Sequence, residues 1–244
     1  MAGKDKSKDL AERGAQGKPV RSSRDEIAAF VGKARELAAM LPGSGERGRL
    51  IFALDATMSR QPTWDSACQL QAEMFHRSAE VGGLDVQLVY FRGFGECRAS
   101  KWVGNPDRLG ELMSAIDCRG GHTQIAKVLA HARKEAARKR VHAVVYVGDC
   151  MEEDVDRLCA HAGELGLLHV PLFMFQEGHD SIAERCFKEM VRLSGGAWSR
   201  FDSGAADQLR DLLSAVAIYA SGGRAALEKL SGSGKGRLLL QQLR

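Results

Sequence analysis

Residues Leu50–Arg60 read LIFALDATMSR. An apolar run, Leu50 to Leu54, meets a carboxylate at Asp55, and two hydroxyls follow at alternate positions, Thr57 and Ser59. An unbroken short apolar run bounded by turn signals reads as a strand buried on both faces, the kind found in parallel sheets covered by helices. Ending such a strand on Asp places a charge at the carboxyl edge of the sheet, where open α/β folds bind ligands.

The rest of the chain supplies the alternation that such a sheet needs. Strand 1 is expected at about 49–55, a helix at 63–80 opened by Pro62 and Thr63, and strand 2 at 84–91 (LDVQLVYF). CRASKWV at 97–103 returns after the turn Arg92-Gly93-Phe94-Gly95, close enough to predict an antiparallel edge strand. Asn105-Pro106 opens a helix to about 116, and a second begins at or just after Thr123, behind the loop Cys118-Arg119-Gly120-Gly121-His122. Strand 4 (141–147), a helix (153–165), strand 5 (169–175), a helix (179–193), the short strand AWSRF and a last helix at 205–220 complete the series. Strands alternating with helices predict an α/β fold with a mostly parallel sheet covered on both faces. A further helix at 24–40 has Ile27, Phe30, Val31, Ala34 and Leu37 on one face, as an outer layer or a partner surface.

Composition excludes several function classes. The chain of 244 residues is 44% hydrophobic and 27% charged, and it contains no apolar stretch long enough to span a bilayer. Its N-terminus lacks the apolar core of a secretory signal, which points to a cytoplasmic protein without membrane insertion. The six cysteines are scattered without a CxxC pair, against disulfides or a zinc knot. Cys68, Cys159 and Cys186 read as small buried hydrophobes. The net charge of +4 resides in residues 1–24, where seven Lys/Arg face three Asp/Glu. That segment reads as a solubilising disordered tail. The basic cluster at 133–140 suits a helix C-terminus. With no aromatic interleaving, nucleic acid is not an expected partner. The expected divisions are a basic tail (1–23), an accessory helix and linker (24–45), the α/β domain (46–222) and a C-terminal extension (223–244).

Five oxygen-bearing side chains fall at ends of these elements: Asp55, Thr57, Ser59, Thr123 and Asp149. Asp149 follows strand 4 as Asp55 ends strand 1. If those strands are neighbours, all five face one crevice. Two carboxylates and three hydroxyls suit a small hard cation, magnesium first, with manganese or calcium as substitutes. Neutral hydroxyls ligate without cancelling the charge of the ion, so an open position on it attracts an outside carboxylate or phosphate.

The same residues resemble the von Willebrand factor A-type (VWA) family with a metal-ion-dependent adhesion site. Its DxSxS signature matches Asp55-Ala56-Thr57-Met58-Ser59, its loop threonine matches Thr123, and its late aspartate matches Asp149. Leu-Ser-Gly-Gly-Ala-Trp-Ser-Arg-Phe and a final helix fit its closing pattern, so the resemblance covers about 49–220. It implies a Rossmann-like three-layer sandwich, mostly parallel, with one antiparallel edge strand. It also implies that the hydroxyls contact the ion while the aspartates act largely through water or hydrogen bonds. A protein partner presenting Asp or Glu then completes the sphere. Bacterial cytoplasmic members often work with other proteins, AAA-type ATPases among them. Two positions depart from the pattern: Met58 and Cys150 stand where the family has glycine.

Competing readings give these residues plainer work. Asp55 can cap its own turn, Thr123 and Asp149 can cap the helices that follow, and Glu152, Glu153, Asp154 and Asp156 suit the start of the helix at 153–165. A metal-dependent phosphoryl-transfer hydrolase with Asp55 as nucleophile is the enzymatic alternative. Thr57 stands where haloacid-dehalogenase-like phosphatases need a second aspartate. A scaffold with a lapsed ion site is the third reading.

Overall fold

The computed structural model describes residues 23–40, 47–60, 83–201, 213–217 and 219–220. The helix expected at 63–80, with Trp64, Asp65 and Cys68, lies outside the described residues, as do residues 1–22 and 221–244. The elements run α1 (Arg24–Met40), β1 (Gly48–Asp55), a 3-10 turn (Met58–Arg60), β2 (Leu84–Arg92), β3 (Glu96–Ala99) and α2 (Pro106–Ser114). They continue with α3 (Ile125–Arg138), β4 (Ala143–Gly148), α4 (Val155–Leu167), β5 (Leu172–Glu177), α5 (Ser181–Ser194) and β6 (Ala197–Phe201). Residues 213–217 and 219–220 are helical.

The strands form one sheet in the order β3-β2-β1-β4-β5-β6, parallel throughout except for the β2–β3 edge. This is the expected mostly parallel, Rossmann-like sandwich. β3 is shorter than the predicted 97–103. Ser100 accounts for its end: its hydroxyl accepts the Leu88 N–H at 3.0 Å, a bond the ladder would give to a backbone carbonyl. Pairing resumes only as a single bridge, Val86 to Val103.

Local chemistry sets the helix starts. Ser23 and Glu26 exchange bonds, Ser23 N–H to the Glu26 carboxylate (2.8 Å) and Glu26 N–H to the Ser23 hydroxyl (3.2 Å), a capping box at the head of α1. Asn105 caps α2 by accepting from Asp107 N–H, with Pro106 in the first turn. Asp180 caps α5 through the N–H groups of Ile182 and Ala183. α5 ends at Gly195, whose φ of 76° is the left-handed conformation glycine adopts without strain.

Alternation along the strands feeds two cores, one on each face of the sheet. Leu50, Phe52 and Leu54 of β1 face Phe30 and Val31 of α1, Leu109 and Met113 of α2, and Val216 and Tyr219. The Phe30 ring lies 5.6 Å from Phe173 and 5.3 Å from Phe175, which fastens α1 to the sheet. Ile51 and Ala53 face Ile125, Val128 and Leu129 of α3 and, through β4 and β5, Leu158 of α4 and Phe187 of α5. Met174 and Phe175 are core residues, as their apolar setting predicts.

A buried charge closes the amino edge of the sheet. The Arg49 guanidinium donates to the carbonyls of Lys139 (2.8 Å) and Arg140 (3.2 Å), just past the C-terminus of α3, and stacks 3.8 Å over the Trp102 ring. Glu135 completes the set: it accepts from Arg49 (3.4 Å), Trp102 Nε1 (2.8 Å) and Arg138 (3.1 Å). Burial on its own would raise the Glu135 carboxyl. The Trp102 bond and the charges of His131, Arg138 and Arg49 outweigh it, and the carboxyl sits below the ordinary 4.5. The unfolded chain therefore takes up this proton first. The contribution of Glu135 is complete above pH 4.5 and disappears as the pH falls through the lower folded value. Glu135→Gln is expected to cost about 2–3 kcal/mol at neutral pH. Urea midpoints measured from neutral to acid pH should show the difference from the native chain shrinking in acid.

Candidate metal centre

β1 lies between β2 and β4, so the sheet is built outward from it in both directions. The crevice at such a switch, beyond the carboxyl ends of the strands, is where open α/β sheets bind ligands. β1 ends on Asp55, and β4 ends at Gly148 with Asp149 and Cys150 next. The pairing of Leu54 with Val147 puts these two ends side by side.

A carboxylate oxygen of Asp55, one of Asp149 and the Cys150 sulfur all lie within 4.8 Å of one another. Asp55 is fully buried, and its Oδ1 accepts the Thr57 N–H at 2.8 Å, which folds the turn back over the strand end. That turn brings the Thr57 and Ser59 hydroxyls to 3.1 Å. Thr57, Ser59 and Thr123 line one crevice of about 270 Å³, together with Cys150, Gly121 and Glu152. The five residues expected from the sequence thus fall in two overlapping groups. Asp55 and Asp149 form the acidic cluster, the three hydroxyls form the crevice wall, and Cys150 belongs to both.

The loop carrying Thr123 is clasped from two sides. Thr123 N–H donates to the Glu152 carboxylate (2.9 Å), and Glu152 N–H donates back to the Thr123 hydroxyl (3.2 Å). Glu153 accepts the N–H groups of Ile125 and Ala126 at the head of α3. This corrects the reading of Glu152 and Glu153 as acids of the following helix. They serve Thr123 and α3 across the crevice, because Gln124 at the cap position of α3 makes no side-chain cap bond. The cap of α4 is Asp154, which accepts from Arg157 N–H at 2.8 Å. Neither Thr123 nor Asp149 is therefore a helix cap.

On the other side, the loop locks into the β2–β3 turn. The Gln124 amide lies 3.3–3.4 Å from the carbonyls of Arg92, Gly93 and Glu96, and Lys127 donates to the Gly95 carbonyl at 3.0 Å. A Cβ on Gly121 would stand 2.1 Å from the Gly93 carbonyl oxygen, so only glycine allows this approach. The turn projects Phe94, 84% exposed, whose ring meets His122 edge-on at 5.3 Å. Met58, 57% exposed, stands on the other rim. His122 is an exposed loop residue, as expected.

Negative charge collects at the buried end of the crevice. Burial, then the charges of Asp149 and Asp55, push the Cys150 thiol far above its ordinary value. Burial, then Asp55, Cys150 and Asp149, hold the Tyr146 phenol protonated well above its own. One Asp149 oxygen is buried and finds no hydrogen-bond partner among the described residues, and the same holds for the Tyr146 hydroxyl. Two carboxylates, a thiol and neutral hydroxyls around one crevice fit a divalent cation. Gln124 and Tyr146 escaped the sequence reading as site residues, Glu152 and Glu153 entered it only as acids of a helix start, and Cys150 only as a departure from the family pattern. The one usable signal was a helix beginning at 125 without a capping residue of its own.

No family model and no curated protein matches the chain. Solved structures do. A von Willebrand factor type A protein from Catenulispora acidiphila is similar over 70% of this chain, at 13% identity and a TM-score of 0.57. The chain spans only 43% of the length of that protein. An aerotolerance-related membrane protein from Bacteroides fragilis is similar over 68% of this chain and 98% of its own, at 14% identity and a TM-score of 0.53. Proximal thread matrix protein 1 from the mussel byssus, solved with a zinc-occupied MIDAS motif, is similar over 70% of this chain and 45% of its own, at 16% identity and a TM-score of 0.56. Likeness at these identities shows the fold. The chain has a VWA-like fold with a candidate acidic and cysteine metal-binding cluster at its carboxyl edge. Among the described residues, no helix is long and apolar enough to cross a membrane.

Proposed function

We propose that the crevice holds a divalent cation through Asp55, Thr57, Ser59, Thr123 and Asp149, and that the ion captures an Asp or Glu side chain of a protein partner, without catalysis by this chain. The supporting observation is the convergence of groups from three segments, residues 55–59, 123 and 149–150, on one crevice where a buried carboxylate oxygen finds no hydrogen-bond partner among the described residues. The bound ion supplies a positive charge that none of the described residues lining the crevice carries. Asp55 anchors the site and shapes the turn. Thr57, Ser59 and Thr123 contribute neutral oxygens, which leave net charge on the ion for an incoming carboxylate. The oxygen donors alone favour magnesium, with manganese and calcium next. The mussel protein, with zinc in its MIDAS motif, is a precedent on a similar fold. Phe94 and Met58 give a partner apolar contact beside the ion. The family resemblance points to a cytoplasmic bacterial setting and to an AAA-type ATPase as the partner class to test first.

Calorimetry with magnesium and manganese tests the reading on the native chain and on Ser59→Ala. The native chain should give saturable heats, and Ser59→Ala should bind roughly 10-fold more weakly. A parallel capture experiment should retain a partner that EDTA releases and added metal restores. Equal, negligible heats from both proteins would reject the ion. Metal-dependent phosphatase activity lost in Asp55→Ala would replace recognition with hydrolysis.

A further inference from the structure

Cys150 is the residue for which the oxygen-only site has no use. Its sulfur lies within 4.8 Å of carboxylate oxygens of both Asp55 and Asp149, and it lines the same crevice as Thr57, Ser59 and Thr123. Beneath it is a second, independent feature. Tyr146 is 2% exposed, and its hydroxyl has no hydrogen-bond partner among the described residues. That hydroxyl lies against Gly148, where a Cβ would stand 2.4 Å from it, at the backbone that leads directly into Asp149 and Cys150. A phenol buried this deeply calls for an oxygen acceptor, which a carboxylate held by an ion at the cluster supplies.

Two carboxylates and one thiolate are not the donors of a magnesium site. Magnesium demands octahedral oxygen and binds sulfur poorly, whereas zinc and cobalt(II) accept mixed sulfur and oxygen sets in four-coordinate sites. A fourth position remains for a hydroxyl of the crevice, a water or a partner carboxylate. We propose that Cys150 is itself a ligand and that the crevice takes a zinc-class ion in preference to magnesium. On binding, the Cys150 S–H bond breaks, a sulfur–metal bond forms, and the proton passes to solvent. The proposal rests on the crevice being a cation site and changes which ion fills it.

The test uses the full chain with cobalt(II) as an optical probe, followed by competition with zinc and with magnesium. The native chain should develop a thiolate-to-cobalt charge-transfer band that zinc erases and millimolar magnesium leaves intact. Cys150→Ser, which exchanges the sulfur for an oxygen on the same two-atom side chain, should bind cobalt without the band and lose roughly 100-fold in zinc affinity, with magnesium affinity unchanged or improved. A native chain that binds cobalt without a thiolate band, or a band that survives in Cys150→Ser, overturns the proposal. The two readings fail separately. EDTA-sensitive partner capture without the band removes Cys150 from the site and leaves recognition standing. The band without metal-dependent capture keeps Cys150 as ligand and removes the recognition role.

Discussion

Asp55→Asn should weaken cation binding by orders of magnitude and, in the metal-free chain, raise resistance to urea. The opposite signs come from one feature. Asp55 is fully buried, and one of its carboxylate oxygens lies within 4.8 Å of one from Asp149, so the two acids crowd each other when no ion sits between them. Asparagine keeps the volume and the Oδ1 that accepts the Thr57 N–H, so the turn survives while one charge is removed. We expect ion affinity to fall roughly 100-fold or more, and the metal-free protein to gain about 1 kcal/mol. Saturating metal should reverse the order of stability, because only the native chain is then stabilised by ligand. Urea midpoints of both proteins, with metal and with chelator, give all four values. Loss of stability in the metal-free variant would mean that the contacts the Asp55 carboxylate makes outweigh its crowding by Asp149.

Gly196→Ala should be among the most damaging single-methyl additions available in this fold. A Cβ at this position would stand 1.8 Å from the Leu172 carbonyl oxygen, 2.5 Å from its carbon and 2.8 Å from its nitrogen. All three are backbone atoms at the start of β5, so no side-chain rotation relieves the clash. Both segments are also tied to the last turn of α5. Gly196 N–H donates to the Val191 carbonyl at 2.9 Å, and Leu172 N–H donates to the Ser194 hydroxyl at 3.2 Å. Displacement of β6 from β5 is the only escape, at an expected cost of about 3 kcal/mol or more. Gly163→Ala in α4 is the control. Nothing lies within 4 Å of its Cβ position, and alanine should stabilise that helix by about 0.5–1 kcal/mol. Thermal midpoints of the two variants should therefore move in opposite directions. A Gly196→Ala protein as stable as the native chain would show that β6 is not held at this distance.

The fold was legible because its signals are local. LIFAL, LDVQLVYF and VHAVVYV are short apolar runs between helical periods, and they lie where β1, β2 and β4 are found. The antiparallel edge followed from the brevity of the 92–95 turn, which leaves no room for a crossover. The limits of β3 were not legible, because they depend on one Ser100 hydroxyl meeting Leu88 on the neighbouring strand. The site divides in the same way. Asp55, Thr57 and Ser59 are close in sequence, and their mutual geometry is a property of one turn. Thr123 and Asp149 could be placed only by assuming that β1 and β4 are neighbours, as they are. The partners of Thr123 could not be placed. Glu152 and Glu153 follow Asp149 at a helix start, a setting that explains acidic residues without reference to anything distant. That they reach across 27–29 residues to Thr123 and α3 is a tertiary fact. Tyr146 was hidden for the opposite reason: in a β-strand an aromatic residue reads as core, and its ring is core while its hydroxyl is not.

The fit of Gly121 against Gly93, reinforced by the three carbonyls around Gln124, makes the loop that bears Thr123 and the hairpin that bears Phe94 a single stiff piece. Little conformational freedom is left to surrender when something docks there. Residues 93–95 meanwhile contribute no side chain to the cluster around Asp55. The side chain at 94 can therefore change without touching the chemistry beneath.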